Sequence, residues 1–211
     1  MRCAVVFDLE FTAWAGSMAH RWLRPGEFRE VVQIGAVKID MATLAEIDSL
    51  DVLVKPRLNP VLSSYFENLT GVTNAAVAER GVDFADAYLR FLRFADGAPL
   101  TAFGRDDLVL TDNLKLYGVN GAPALPPYRN IVPWLVEAGI DTRGRHACDI
   151  AELAGAKFEG REHDALEDSR SVALGIKTLV ARGRPNPLLA PPHALPLTWR
   201  EAARGVSTTA S

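Results

Sequence analysis

The chain reads as a mixed α/β fold, on three observations. Three β-branched, apolar runs come first. Short apolar runs then alternate with segments of helical spacing, and a long helical stretch follows. Val5 to Phe11 is the first strand, and a long connection rich in Gly, Trp and Arg runs from about Thr12 to Arg29. The run VVQIGAVKID (Val31 to Asp40) and the alternating stretch Ile47 to Lys55 are the second and third strands. These three runs in succession, the last two joined by a short link, predict an antiparallel meander, which Pro56 and Pro60 end. In LSSYFENLTGVT, Ser63 or Ser64 is placed to cap a short helix. Phe84, Tyr88, Phe91, Leu92 and Ala95 recur at helical spacing. Pro99 to Phe103 is a brief strand, followed by Gly104 and a helix from about Asp106 to Tyr117. Tyr128 to Leu135 reads as a strand or extended segment, and Ala165 to Ala181 as the last, longest helix. Residues 1–182 thus form one domain. The tail, 183–211, has five prolines in the fifteen residues PNPLLAPPHALPLTW and is expected to be extended or disordered.

Composition narrows the function classes. A chain of 211 residues is long enough for one well-cored domain. Its net charge of −3 provides no overall positive field for extended duplex binding, though a small site gripping a strand end remains open. No run approaches the ~18 apolar residues of a membrane span. Asp8 interrupts the short apolar run at the N-terminus, so no secretory signal is expected. Cys3 and Cys148 are too few for a disulfide framework or a cysteine zinc site, which points to a reducing cytoplasm.

Three short segments carry the chemistry. On a strand, Asp8 and Glu10 share one face while Phe7 and Leu9 take the other. Ionised carboxylates in an apolar run need a partner, unless this strand end simply reaches solvent. In HDALEDSRSVA, Asp164 and Glu167 have the spacing of a capping box, which leaves Asp168 facing inward with Ser171 and Val172. His163 stands just before this helix, about 7.5 Å from Asp168 along its axis. In FGRDDLVLTDNL, Asp107 shares a stripe with Leu110 and Leu114, and Asp106 reads as the helix cap. Four carboxylates and a histidine at the ends of regular elements suit Mg²⁺ or Mn²⁺ and fit zinc poorly. Two such ions about 3.5–4 Å apart are the arrangement for in-line phosphoryl displacement.

VFDLEF, FGRDD and HDALED, in this order and spacing, resemble the three motifs of the DEDDh group of 3′-to-5′ exonucleases, which includes RNase T and oligoribonuclease. EVVQIGAVKID resembles the group's second strand. VKPRLNPVLSSYFENLTGVT is most similar to the Eri-type branch, whose members trim RNA 3′ ends. The resemblance covers about residues 3 to 182. It implies an RNase-H-like fold: a five-stranded mixed sheet, first three strands antiparallel, helices on both faces. It also implies Asp8, Glu10, Asp107 and Asp168 as ligands of two Mg²⁺ or Mn²⁺ ions, with His163 as general base. The second motif usually carries an aromatic residue just before its aspartate, where this chain has Asp106, so Asp106 stands as the alternative ligand. Phe11 and Thr12, after the D-x-E, are expected at the last nucleotide; Leu69 and Thr70 join them by resemblance alone. The expected partner is the 3′ end of single-stranded RNA, or of DNA if the enzyme proofreads or repairs. A homodimer is common in the group, though nothing in the sequence requires one. A binding protein that kept the fold without turnover is the remaining reading, and the filling of all five chemical positions weighs against it. Arg143, Arg145, Lys157 and Arg161 either hold the phosphate backbone or belong to a solvated loop, and Trp14 and Trp22 are candidates for base stacking.

Overall fold

A computed structural model describes residues 2–190. The sheet has five strands: β1 (Cys3–Phe11), β2 (Val31–Asp40), β3 (Glu46–Leu53), β4 (Leu100–Ala102) and β5 (Tyr128–Asn130). Their order is β3-β2-β1-β4-β5. The first three are antiparallel neighbours, while β4 runs parallel to β1 and β5 parallel to β4. This is the expected mixed sheet with an RNase-H-like fold, and β1 lies at its centre.

Alternation along β1 divides the core. Val5, Phe7 and Leu9 pack with Phe84, Phe91 and Leu110 of α4 (Phe84–Ala95) and α5 (Asp106–Leu116). Ala4 and Val6 pack with Trp134, Ile150, Val172 and Ile176 of α6 (Val132–Glu137), α7 (Ile150–Leu153) and α8 (Ala165–Ala181). Asp8 and Glu10 continue the second set toward the end of the strand, where a register shift between Glu10 and Phe11 breaks the pairing with β2. Such an irregularity re-aims the side chains beside it.

Helix α8 begins directly on β2. A Cβ built on Gly35 would lie 2.1 Å from the Ala165 carbonyl carbon, so only glycine admits the helix at this distance. Gln33 Oε1 accepts from the Ala165 N–H, and Ser169 Oγ donates to the Gly35 carbonyl. These contacts set the start of α8 opposite Asp8, whose partner on β2 is Gly35.

Several expectations need correction. Tyr128 to Leu135 is not one strand: it ends at Asn130, and α6 follows with Pro133 in its first turn, where a missing N–H does no harm. The short helices α1 (Ser17–His20), α2 (Ser64–Thr70) and α3 (Asn74–Arg80) complete the set; of these, only α2 had a sequence signal recognised. The Ser63 hydroxyl caps α2 by accepting from Phe66 N–H. The described part of the proline-rich segment is not detached. Leu188 is 2% exposed in the core, Trp134 Nε1 donates to the Pro185 carbonyl, and Asn186 Nδ2 donates to the Met41 carbonyl. The rest of that tail, 191–211, lies outside the described residues. Among the described residues, no helix is long and apolar enough to cross a membrane.

Candidate active site

The C-terminal end of β1, the start of α5 and the start of α8 meet at a pocket of about 380 Å³ whose lining includes Asp8, Glu10, Asp106, His163 and Asp168. One donor atom each from Glu10, His163 and Asp168 lie within 4.8 Å of one another. Glu10 is 8% exposed and Asp168 3%. Burial holds Asp8 well above the usual carboxylate range, and the charges of Asp106, Asp168 and Glu10 add to it. Glu10 is raised for the same reasons, burial first and then Asp168. Asp106 is pushed up to about 7 by burial and by Asp107, with the Arg29 guanidinium opposing. Asp168 also reaches about 7, through burial and then Asp164. Four carboxylates that all resist ionisation form a site in deficit of positive charge. Asp168 Oδ1 is fully buried yet has no hydrogen-bond partner among the described residues. That orphaned acceptor and an oxygen-rich donor set fit hard divalent ions such as Mg²⁺ or Mn²⁺.

The structure brings Asp106 to the cluster, not Asp107. Arg105 is the N-cap residue of α5 and makes no side-chain cap, so Asp106 is the first helical residue and not the cap. The buried stripe is Asp106, Val109, Leu110 and Asn113, and Asp106 lines the pocket. Asp107 is held instead by Arg105, with Nε and Nη2 each 2.8 Å from a carboxylate oxygen. Asn113 marks the inward face once the chain is folded. Its side chain accepts from Val31 N–H and donates to the Arg29 carbonyl, ties that only an inward residue makes.

At the start of α8, Asp164 caps the helix by accepting from Leu166 and Glu167 N–H groups. Glu167 does not complete the box; it pairs with Arg170 at 2.8 Å. His163, just outside, has a positive φ of 57°, a conformation histidine adopts more readily than most residues. Burial and then the nearby His146 lower its pKa, which keeps the imidazole neutral at pH 7.

Of the four residues expected at the last nucleotide, Phe11 and Leu69 line the pocket. Thr12 and Thr70 do not. Thr12 is buried, donating to the Phe28 carbonyl and accepting from Glu30 N–H. The Thr70 hydroxyl caps its own helix end between the Phe66 carbonyl and Val72 N–H, 3.0 Å from each. Sequence reasoning gave no site role to His146, whose ring centroid is 5.3 Å from that of His163, and left Trp22 open. Trp22 lines the pocket as a fixed wall, its Nε1 donating to the Thr12 carbonyl at 2.7 Å and its ring edge-on to Phe11. Both residues sit in long connections where periodicity carries no information.

A family model described as Exonuclease, of the RNase T type, matches residues 5–174. ERI1 exoribonuclease 2 of Mus musculus and of Homo sapiens are each 25% identical to the chain over 195 residues, which covers 81% of this chain and 27% of theirs. The chain therefore spans about a quarter of the length of these curated relatives. Among solved structures, the nuclease domain of 3′hExo, a DEDDh family member bound to rAMP, has a TM-score of 0.72 at 22% identity, covering 86% of this chain and 93% of that one. The cell-death related nuclease CRN-4 gives 0.69 at 20% identity, covering 87% and 65%. An E. coli ExoI–ssDNA complex gives 0.62 at 13%, covering 86% and 41%. These likenesses show a shared fold. The matched span runs from β1 through all three acidic motifs into α8, and the chain belongs to the RNase T-type exonuclease family.

Proposed function

We propose that the chain is a 3′-to-5′ exonuclease. It would release nucleoside 5′-monophosphates from single-stranded RNA with the help of two divalent ions, Mg²⁺ or Mn²⁺. The observation that carries this reading is the convergence of Asp8, Glu10, Asp106 and Asp168, all raised by burial and mutual repulsion, beside a neutral His163. Those four carboxylates are the residues that would hold the ions, with Asp106 in the place the sequence reading gave to Asp107. When bound, the ions supply positive charge that acidifies a water molecule and offsets charge on the leaving oxygen.

His163 accepts the proton of the attacking water, a task suited to an imidazole that is unprotonated at neutral pH. The new bond joins that oxygen to the terminal phosphorus. The bond from phosphorus to the 3′ oxygen of the preceding nucleotide breaks, and that oxygen takes a proton from solvent. The phosphate leaves as the 5′-phosphate of the released nucleotide. Phe11 and Leu69 flank the departing nucleotide, and an aromatic face stacks any base with about 1–3 kcal/mol, so cleavage is expected to be sequence-tolerant. RNA is favoured over DNA because the relatives of higher identity are exoribonucleases, whereas the ssDNA-bound neighbour is 13% identical.

The test uses matched RNA and DNA oligomers labelled at the 5′ end, with Mg²⁺, Mn²⁺ or a chelator. A metal-dependent ladder shortening from the 3′ end, faster on RNA, is expected. Folded, metal-binding protein that cleaves neither strand overturns the reading.

A further inference from the structure

The four basic residues ahead of His163 have separate fates. Arg143 is engaged by Asp141, with Nη2 2.8 Å and Nε 2.9 Å from its carboxylate. Lys157 is ion-paired to Glu159. The Arg161 guanidinium lies over Gly71, 2.0 Å from where a Cβ would be, and faces a different, smaller cavity shared with Asp51 and Asp164. Arg145 alone of the four lines the carboxylate pocket. Among the described residues it is also the pocket's only lysine or arginine, and no carboxylate comes within ion-pair distance of it. Asp141 feels its charge, but that carboxylate is already in contact with Arg143.

The turn presenting Arg145 is held in shape. Arg143 N–H donates to Asp141 Oδ1, Arg145 N–H donates to the Thr142 carbonyl, and Gly144 supplies the left-handed residue between them at φ 66°. On the far side, His146 N–H donates to Asp149 Oδ2 at 2.9 Å. Arg29 and Arg105, the other cations near the carboxylates, are committed elsewhere. Arg29 sits against the Phe11 and Trp22 rings and reaches Asp112, while Arg105 holds Asp107.

A strand bringing phosphates to four carboxylates meets like charge, and two divalent ions would only cancel the protein's own charges. A further cation at the rim is needed to attract and orient the backbone. We infer that Arg145 grips a backbone phosphate of the bound strand and is a positioning residue for the reaction; this rests on the exonuclease reading above. Its planar guanidinium suits two phosphate oxygens at once, which lysine's point charge does not. The contact is to phosphate, so it serves every base sequence alike.

The test compares the wild-type chain, Arg145→Gln, Arg145→Lys and Lys157→Gln, the last altering an exposed pair that does not line the pocket. Affinity for a phosphorothioate-linked single strand is measured across salt concentrations, and steady-state cleavage is measured on the unmodified strand. Arg145→Gln should flatten the slope of log K against log salt by about 0.7, the value for one lost single-strand phosphate contact. It should lower kcat/KM about tenfold, through KM and for all sequences, the scale of one solvent-facing charged hydrogen bond. Arg145→Lys should restore part of the loss, and Lys157→Gln should match wild type. An unchanged slope and KM, or a loss confined to kcat, overturns the inference. Wild type that binds with an Arg145-dependent slope but never cleaves leaves the grip standing and removes the exonuclease reading. Cleavage indifferent to Arg145 removes the grip alone, and failure to bind any strand removes both.

Discussion

Asp106 and Asp107 are adjacent in sequence, yet one faces three other carboxylates and the other a guanidinium. Substituting each should therefore have opposite consequences. Asp106→Asn is expected to lower kcat by at least ~100-fold, since even partners of metal ligands commonly account for 10–100-fold. Asp107→Asn loses a partly buried ion pair to Arg105, a structural contact outside the carboxylate cluster, and should leave turnover near wild type. Parallel kcat measurements decide this, and equal losses would return Asp107 to the ligand set. At His163 the sign of the pKa shift matters. Burial and His146 lower it, so the neutral base persists to more acidic pH than an unperturbed histidine, near 6.5, would allow. With metal saturating at each pH, activity should be level around neutrality and decline only below about pH 6.5, and His163→Gln should lose ~10²–10⁴-fold with metal binding retained. An acid limb with its midpoint above pH 7 would contradict the assignment.

At the scale of elements, the site exists because α8 starts on top of β2, and Gly35 is the position that permits it. Gly35→Ala would force its methyl into the Ala165–Leu166 peptide, where no flexible side chain can move away. A destabilisation toward ~3 kcal/mol, the upper end for overpacking, is expected in denaturant unfolding. Loss of metal affinity should accompany it, because the same shift carries Asp168 and His163 away from Asp8. The same elements explain what the sequence made legible. Apolar, β-branched runs located β1 and β2, which bury both faces, alternation located β3, and helical spacing located α4, which buries one face. The face of α5 was harder to read, because two offset stripes, Asp107–Leu110–Leu114 and Asp106–Val109–Leu110–Asn113, both satisfy helical spacing. Only the polar ties of Asn113 to Val31 and Arg29 select the second. Thr12 was expected at the substrate by position and Thr70 by resemblance, but the Thr12 hydroxyl ties β1 to the Phe28–Glu30 backbone and the Thr70 hydroxyl closes its own helix end, bonds that no spacing rule reports. Arg145, His146 and Trp22 reach the pocket from irregular connections, so their convergence is a property of the folded chain alone.

At the scale of the whole molecule, the carboxylate cluster links folding to pH and to divalent ions. In the metal-free protein Asp106 and Asp168 are raised to about 7, and Asp8 and Glu10 are raised as well. An unfolded chain returns such groups to about 3.9–4.3. Between those limits the folded state binds more protons than the unfolded one, so stability falls as pH rises. The contribution is fully present below about pH 4 and is lost as pH passes through about 7. Metal-free protein should therefore have a lower Tm near pH 8 than near pH 5.5. Other groups titrate over this range too, so the informative quantity is the difference from a variant without the charge. Asp168→Asn should reduce the fall in Tm and stabilise the metal-free protein at pH 8, since it removes a buried like charge. Divalent ions compete with protons for the same oxygens, so Mn²⁺ should raise Tm strongly near pH 8 and little near pH 5.5. Saturation at 100 times Kd corresponds to about 2.7 kcal/mol of added stability. Thermal unfolding of both proteins at the two pH values, with and without Mn²⁺, measures all of this together. A metal-free wild type whose Tm falls no more than that of Asp168→Asn would mean that the carboxylates are already neutralised from within the fold, and the need for two bound ions would go with it.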